Sequence, residues 1–308
     1  MIGRVTRMAT SNQLLVGRSD ELARLVDLLG LRAGGSGARS AVLLSGDAGV
    51  GKTRLLRALA DEAAEAGWQV MAGHCLDFGD SELAYLPFSE AFGRLAAKSP
   101  AQAEALVHAS PAVARLMPGR RMLASDGSTG QPTGRLDRSD LFEGVYLALG
   151  QLSAAAPLLV VIEDVHWADQ STRELLGFLF ARRFTAPVAV VASYRSDDIH
   201  RRHPLRRHAA EWGRLPGVTR MHLGPLGDRD VRSLVRLLHP AVLTEGDVSG
   251  IVARAEGNAF FIEELVAAAE RGDHAVPTDL AELLLARHGL DPKARPEIST
   301  EPPKPTGI

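Results

Sequence analysis

The stretch SGDAGVGKTRLL at residues 45–56 concentrates residues that can bind an anion. Gly46 is followed, after four residues, by Gly51, Lys52 and Thr53, which matches the phosphate-loop pattern G-x-x-x-x-G-K-[ST]. Glycines let successive backbone N–H groups point at one spot, and the N-terminal end of a following helix adds positive charge there. Lysine supplies a mobile cation for the outer phosphates, and a threonine hydroxyl can bind Mg²⁺. The stretch therefore predicts a nucleotide-phosphate site formed by Gly46, Asp47, Ala48, Gly49, Val50, Gly51, Lys52 and Thr53.

The residues on either side of this loop have the patterns of a strand and a helix. Residues 41–44 are short and apolar, as a buried parallel strand should be. From residue 52 to residue 66, leucines and alanines recur at helical spacing. A chance match to the loop pattern is the alternative. Strand, loop and helix nevertheless follow one another in the order that phosphate binding requires.

Two acids end a second apolar run, PLLVVIEDVHWAD at residues 157–169. A wholly apolar strand is buried on both faces, so Glu163 and Asp164 are predicted at the rim of a parallel sheet, where α/β proteins bind ligands. One acid would join Thr53 in a metal shell, and the other would orient or deprotonate an attacking water. By position, Glu163 would lie at the metal and Asp164 at the water. Two exposed acids that merely finish a strand are the alternative.

A third apolar run, APVAVVASYR at residues 186–195, ends in Arg195. In a phosphate-loop sheet this strand lies beside the strand that carries the loop, so its terminal arginine can reach a γ-phosphate. The spacing is equally consistent with a surface arginine that pairs with Asp197 or Asp198.

The elements that must position these residues alternate between apolar runs and helical segments. Five runs predict a parallel five-stranded sheet flanked by helices, at residues 41–44, 68–75, 157–162, 186–195 and 221–226. We expect a phosphate-loop NTPase core at residues 14–226 and a small all-helical lid domain at 227–289. Residues 1–13 are predicted to be a flexible arm, and the proline-rich residues 290–308 a disordered tail.

Composition limits the partners of the chain. The 308 residues carry a formal net charge of −2, which gives no general attraction to nucleic acid or anionic membranes. The basic stretch at residues 201–208 lacks interleaved aromatics, so an exposed helix start is expected there. The single cysteine, Cys75, is consistent with a reducing compartment. No N-terminal signal or membrane-spanning run is found in the sequence, so we predict a cytoplasmic protein with no membrane partner.

Five stretches together resemble one family. They are LVGR at 15–18, GDAGVGKT at 46–53, LLVVIEDVHWAD at 158–169, VVASYRSDD at 190–198 and GNAFFIEEL at 257–265. The chain is similar to the regulatory ATPase domain of the STAND class, the AAA-related signalling ATPases found in large LuxR-type transcriptional regulators. The resemblance extends over most of the chain, from residue 14 to residue 288.

The resemblance implies that the loop binds ATP with Mg²⁺, and that ATP and ADP favour different positions of the lid. It implies self-association in the ATP state and an unidentified protein partner. Glu163 and Asp164 would handle Mg²⁺ and water. The resemblance also implies nucleotide contacts for further residues. Val16, Gly17 and Arg18 would lie against the adenine, and Arg195 would sense the γ-phosphate. Gly257 and Asn258, in the lid, would face the nucleotide.

Several departures from the family leave alternatives open. Ala259 stands where the family has proline. The acids follow the order Glu-Asp, the reverse of the order common in such ATPases, and the shorter Asp164 would hold water less well, so slow turnover is predicted. No segment resembles a DNA-reading helix-turn-helix, so direct DNA binding is not expected. The alternatives are an origin-recognition-like ATPase that acts on DNA, a small-molecule kinase, and a nucleotide-binding module without turnover.

Overall fold

The computed structural model describes residues 15–32, 41–77, 83–117, 138–182, 184–239 and 244–270. The expected arm at 1–13, the tail at 290–308 and the last part of the predicted lid lie outside these residues. None of the helices in the described ranges is long and apolar enough to cross a bilayer.

Within the described residues, parallel strands form one sheet. The strands are β1 (Ala41–Gly46), β2 (Gln69–His74), β3 (Leu158–Glu163), β4 (Val188–Arg195) and β5 (Val218–His222). Their order across the sheet is β2-β3-β4-β1-β5. The prediction of a five-stranded parallel α/β sheet is therefore confirmed, and β4 lies beside β1 as expected. Because all strands run the same way, their carboxyl ends share one edge of the sheet.

The position predicted for the last strand was wrong by several residues. Residues 221–226 were expected to form it, but β5 begins at Val218 and ends at His222. The strand lies at the edge of the sheet, paired with β1, and Met221 is its buried residue. A strand that buries so little side chain leaves no continuous apolar run in the sequence, which explains the error.

Helices cover both faces of the sheet. Those in the described ranges are α1 (Ser19–Leu29), α2 (Lys52–Glu65), α3 (Leu86–Lys98), α4 (Pro100–Ala109), α5 (Arg138–Leu152), α6 (Gln170–Ala181), α7 (Pro204–Trp212), α8 (Asp228–Leu238), α9 (Glu245–Ala255) and α10 (Ala259–Glu270). Leucines of α1 and α2 pack against one face of the sheet in one apolar cluster. Residues of α3 to α7 form a second cluster on the other face. The basic stretch at 201–208 lies before and within the first turns of α7.

Two helix starts illustrate how local hydrogen bonds select the boundary. A capping box at Thr244 and Asp247 begins α9, as the sequence pattern indicates. The residues Ser171 to Glu174 also have the pattern of a capping box, but Asp169 caps α6 instead. Its side chain accepts a hydrogen bond from the N–H of Thr172 at 3.1 Å. Asp169 also accepts from the N–H of Tyr85, so this cap ties α6 to the start of α3.

Helices α8, α9 and α10 pack around an apolar cluster of their own, which is here called the helical unit (residues 228–238 and 245–270). Val231, Ile251 and Phe261 are among its buried residues. Val16, near the start of the described chain, packs against the same cluster. The N-terminal segment therefore lies between the sheet and the helical unit, close to the carboxyl edge of the strands.

Candidate functional site

The predicted phosphate loop lies at the carboxyl edge of the sheet. Strand β1 ends at Gly46 and helix α2 begins at Lys52. Gly51 precedes the helix with φ of +104°, a conformation that other residues rarely adopt. Gly49 has φ of +73°, and a side chain there would meet the Asn258 side chain at 2.6 Å. The loop therefore needs glycine both for its turn and for the close approach of the helical unit.

Lys52 lies buried over this loop. Its Nζ donates hydrogen bonds to the carbonyl oxygens of Gly46 at 2.7 Å and Asp47 at 2.8 Å. Burial lowers the pKa of Lys52, and the nearby carboxylate of Asp164 opposes that shift. These contacts hold an ammonium group at the point where the loop turns into α2.

Glu163 ends β3 and is nearly fully buried. Its carboxylate lies beside the hydroxyl of Thr53, in the first turn of α2. Burial raises the pKa of Glu163, and the neighbouring Thr53 hydroxyl opposes the rise. Mg²⁺ is commonly held by one or two carboxylates together with substrate phosphates. A buried carboxylate in contact with a hydroxyl beside a phosphate loop fits that ion.

Asp164 follows Glu163 in a left-handed backbone conformation, with φ of 56° and ψ of 44°. Its N–H donates a hydrogen bond to Ser193 Oγ on β4 at 3.2 Å. This conformation costs roughly 1–2 kcal/mol for most residues other than glycine, and less for aspartate, whose short polar side chain tolerates it. It places the half-exposed Asp164 side chain among the residues that line the cleft at the loop. Backbone strain of this kind is frequent at functional sites, where surrounding contacts hold it.

Arg195 ends β4 directly opposite Gly46 in the sheet. Its position is consistent with both interpretations of the sequence, because its guanidinium lies 3.6 Å from Asp198 and also lines the cleft. The Arg195 N–H points at Nδ1 of the buried His166 at 3.5 Å. Burial, reinforced by the positive charge of Arg195, lowers the pKa of His166 to about 3. His166 is therefore a neutral support behind the arginine.

The segment after Arg195 is attached to the phosphate loop, which the sequence did not indicate. Both carboxylate oxygens of Asp197 accept from the N–H of Ala48, at 3.1 and 3.2 Å. Ser196 Oγ donates to the Asp47 carboxylate at 2.8 Å. Asp197 thus presents an anion to an N–H group of the loop.

The helical unit contacts the other side of the same loop. The Asn258 side-chain amide donates to the carbonyl of Ala48 at 2.8 Å, and the N–H of Phe260 donates to the carbonyl of Gly49 at 3.0 Å. These two bonds are here called the loop latch. An ion pair of 2.7 Å between Arg54 of α2 and Glu263 of α10 lies alongside them.

Two of the three residues expected at the adenine line a small cavity of about 20 Å³ beside the loop. Val16 and Arg18 line it together with Leu15, Val50, Gly51, Arg54, Leu226, Leu234 and Ala259. Gly17 packs against Asp230, and a side chain there would meet that residue at 2.5 Å. Gly257 lies further away, where its carbonyl accepts from the N–H of Leu226 at 2.8 Å.

Arg18 is buried and joins three segments. Its guanidinium donates to the carbonyls of Val50 at 3.2 Å and Gly224 at 2.6 Å. It also pairs with Glu21 of α1 at 2.6 Å. The loop, the connection to the helical unit and the N-terminal segment therefore meet at one side chain.

A cleft of about 260 Å³ opens between the phosphate loop and the helical unit. It is lined by Gly49, Gly51, Lys52, Thr53, Arg54, Arg57, Asp164, Arg195, Ala259, Phe260 and Glu263. The structure thus gathers the predicted loop, the acidic pair and Arg195 at one edge of the sheet. The sequence missed Asp197, Glu263 and the pair His74 and Glu90, which lies behind Glu163. In the sequence, only the position of His74 near the end of a predicted strand could have indicated the pair of His74 and Glu90.

Comparison with known proteins agrees with this geometry. Residues 14–191 match the family model described as an AAA ATPase domain. An uncharacterized protein of Rhizobium meliloti (strain 1021) is 29% identical over 240 residues, which are 73% of this chain and 22% of that protein. The chain thus spans about a fifth of the length of that curated relative.

Solved structures share the fold at low sequence identity. The Walker-type ATPase of Pyrococcus abyssi has a TM-score of 0.57 and 14% identity, over 92% of this chain and 77% of that one. Cdc6p from Pyrobaculum aerophilum has a TM-score of 0.51 and 16% identity, over 89% and 68%. A STAND protein with a tetratricopeptide repeat sensor, from Pyrococcus horikoshii, has a TM-score of 0.50 and 17% identity, over 91% and 34%.

Proposed function

Because the chain belongs to the AAA ATPase domain family, we propose that it binds Mg-ATP in the cleft between the sheet and the helical unit and hydrolyses it slowly. ATP and ADP favour different positions of the helical unit, and this change in position is the signal, so the domain acts as a signalling switch. Hydrolysis resets the switch.

Most of the predicted site residues have a place in this proposal. The N–H groups of the loop and the Lys52 ammonium bind the phosphates. Thr53 and Glu163 hold Mg²⁺, which neutralises charge on the phosphate oxygens when it is bound. Asp164, whose side chain lines the cleft, orients the attacking water and accepts its proton. Arg195 binds the γ-phosphate, and Val16, Gly17 and Arg18 surround the base.

The observation that supports a switch is the loop latch. Asn258 and Phe260 donate hydrogen bonds to carbonyls of the same loop whose N–H groups would bind phosphate. A phosphate that draws the loop N–H groups toward itself, and away from Asp197, reorients the peptide planes that hold the latch. Nucleotide state and helical-unit position are thereby linked through shared backbone groups.

The domain would pass its state to other proteins. We propose that it belongs to a regulatory STAND-type ATPase related to LuxR-type transcriptional regulators, acts in the cytoplasm, self-associates in the ATP state and signals to a protein partner. The sequence resemblance in five stretches supports this, and so does the fold shared with a STAND protein. Direct DNA binding by this chain is not part of the proposal.

The test is nucleotide turnover by the purified chain, alone and with duplex DNA. We expect slow Mg²⁺-dependent ATP hydrolysis, well below the enzyme median of roughly 10 s⁻¹. Lys52→Ala should abolish it and DNA should leave it unchanged. Lys98→Ala, at the exposed end of α3, is the matched control. Strong stimulation by DNA would favour the origin-recognition-like alternative, whereas binding without turnover would leave a nucleotide-binding module.

A further inference from the structure

A chain of polar contacts lies behind Glu163, outside the cleft. His74 ends β2 and stands opposite Glu163 of β3 in the sheet. The Nε2 atom of His74 lies 3.4 Å from Oε1 of Glu163. On its other side, Nδ1 of the same ring lies 3.0 Å from Oε2 of Glu90 on α3. One imidazole therefore bridges the buried acid of the site and an acid of the neighbouring helix.

Glu90 fixes the orientation of that ring. Its Oε2 atom also accepts the backbone N–H of His74 at 2.7 Å, so one carboxylate holds both the backbone and the ring of the same residue. Arg94, one turn further along α3, pairs with Glu90 from the exposed side. Both ring nitrogens of His74 face carboxylate oxygens, which only accept, so a ring that carries both protons donates to Glu90 from Nδ1 and to Glu163 from Nε2.

The packing of α3 on β2 is what brings Glu90 within reach. Gly73 precedes His74, and a side chain at Gly73 would meet the carbonyl oxygen of Pro87 at 1.9 Å. Only glycine allows α3 to lie this close to the strand. Glu90 comes three residues after Pro87, so the close approach sets the Glu90 carboxylate beside His74.

We propose that His74, held by Glu90, is a positioning residue that fixes the Glu163 carboxylate for Mg²⁺. This inference rests on the proposed function, in which Thr53 and Glu163 hold the metal. The Glu163 carboxylate lies between the Thr53 hydroxyl and the His74 ring, whose Nε2 is 3.4 Å away, so it has a polar neighbour on both sides. Partners behind a ligand orient it, and their removal typically weakens metal affinity by about 10–100-fold.

The experiment separates metal binding from nucleotide binding. A non-hydrolysable ATP analogue is titrated in EDTA. In a separate sample without EDTA, Mn²⁺, as a spectroscopic substitute for Mg²⁺, is titrated into the analogue complex and followed by EPR. We expect His74→Ala and Glu90→Ala each to weaken Mn²⁺ binding by about 10–100-fold. Analogue affinity in EDTA should stay within about twofold, because the loop and Lys52 are untouched. His108→Ala, at an exposed histidine of α4, should change neither quantity.

Two further variants keep the inference testable. His74→Gln retains a polar side chain and should recover part of the Mn²⁺ affinity, and it carries the test if His74→Ala does not fold. The double variant His74→Ala/Glu90→Ala should bind Mn²⁺ no more weakly than His74→Ala alone, because Glu90 acts through the His74 ring. Unchanged Mn²⁺ affinity in folded His74 variants would overturn the positioning role. A wild-type chain that binds no analogue would overturn the proposed function, and this inference with it.

Discussion

The side-chain amide of Asn258 donates a hydrogen bond of 2.8 Å to the carbonyl of Ala48, across 210 residues of sequence. The side-chain oxygen of the same Asn258 accepts from the N–H of Phe260 at 3.1 Å and so caps the first turn of α10. One side chain thus begins a helix of the helical unit and holds the phosphate loop.

Replacing Asn258 can separate these two roles. Serine remains a good helix cap but is too short to reach Ala48, so Asn258→Ser should keep the stability of the helical unit. The lost bond is worth about 1 kcal/mol, which corresponds to roughly fivefold faster release of a fluorescent ADP analogue in stopped-flow measurements. Asn258→Ala removes the cap as well and should cost a further ~1 kcal/mol in urea unfolding. Unaltered release from Asn258→Ser would show that the latch does not restrain the nucleotide.

The two acids should have separable roles. In Glu163→Gln, Mg²⁺ dependence of nucleotide binding should weaken, because the buried carboxylate beside Thr53 is lost. In Asp164→Asn, binding of Mg-ATP should persist while single-turnover hydrolysis falls by about 10²–10⁴-fold, the usual contribution of a general base. Isothermal titration and rapid-quench measurements check the pair. The opposite pattern, with Mg²⁺ affinity lost only in Asp164→Asn, would reverse the assignment.

Substitution of Gly257 tests how closely the helical unit must pack against the segment that connects it to the sheet. Gly257 has φ of +74°, and a side chain there would meet the backbone oxygen of Leu226 at 2.2 Å. Gly257→Ala should lower the free energy of unfolding by roughly 2–4 kcal/mol, through backbone strain and displacement of Leu226. Gly250→Ala lies in α9 of the same unit, where the nearest atom would be 3.8 Å away. It should stabilise by about 0.5–1 kcal/mol, and equal effects of both changes would contradict the geometry.

Cys75 offers a probe of the back of the site. It is the only cysteine in the sequence, it is buried, and its N–H donates to the carbonyl of Glu163 at 3.0 Å. Burial raises the pKa of the thiol, so the reactive thiolate is scarcer at pH 8 than in an exposed cysteine. Ellman's reagent should therefore react at least ~100-fold more slowly with the folded chain than with chain in guanidinium chloride. Comparable rates would mean that this edge of the sheet opens readily.

The sequence predicted those parts of the molecule that depend on local pattern. β1, β3 and β4 are buried on both faces, so each leaves a continuous apolar run that ends at a site residue. The phosphate loop needs glycines at fixed spacing, which is also visible locally. The edge strand β5 was misplaced because it buries little of its length.

Contacts that depend on packing were not predictable in the same way. Asp197 reaches the N–H of Ala48 only because β4 lies beside β1. Glu90 reaches His74 only because Gly73 lets α3 approach β2. Neither contact has a sequence pattern, since each joins residues whose spacing along the chain is arbitrary. The site assignments of the sequence analysis stay predictions until nucleotide binding is measured.

Arg18 has a consequence for the order in which the chain folds. Its bond to Val50 spans 32 residues, whereas its bond to Gly224 spans 206 residues and closes only after Gly224 has been synthesised. Contacts of such long range form slowly because the entropy of closing the intervening loop opposes them. A nascent chain that has emerged only as far as β4 already contains the phosphate loop, yet lacks Gly224 and the latch. The ability to bind phosphate would therefore arise before the ability to respond to it.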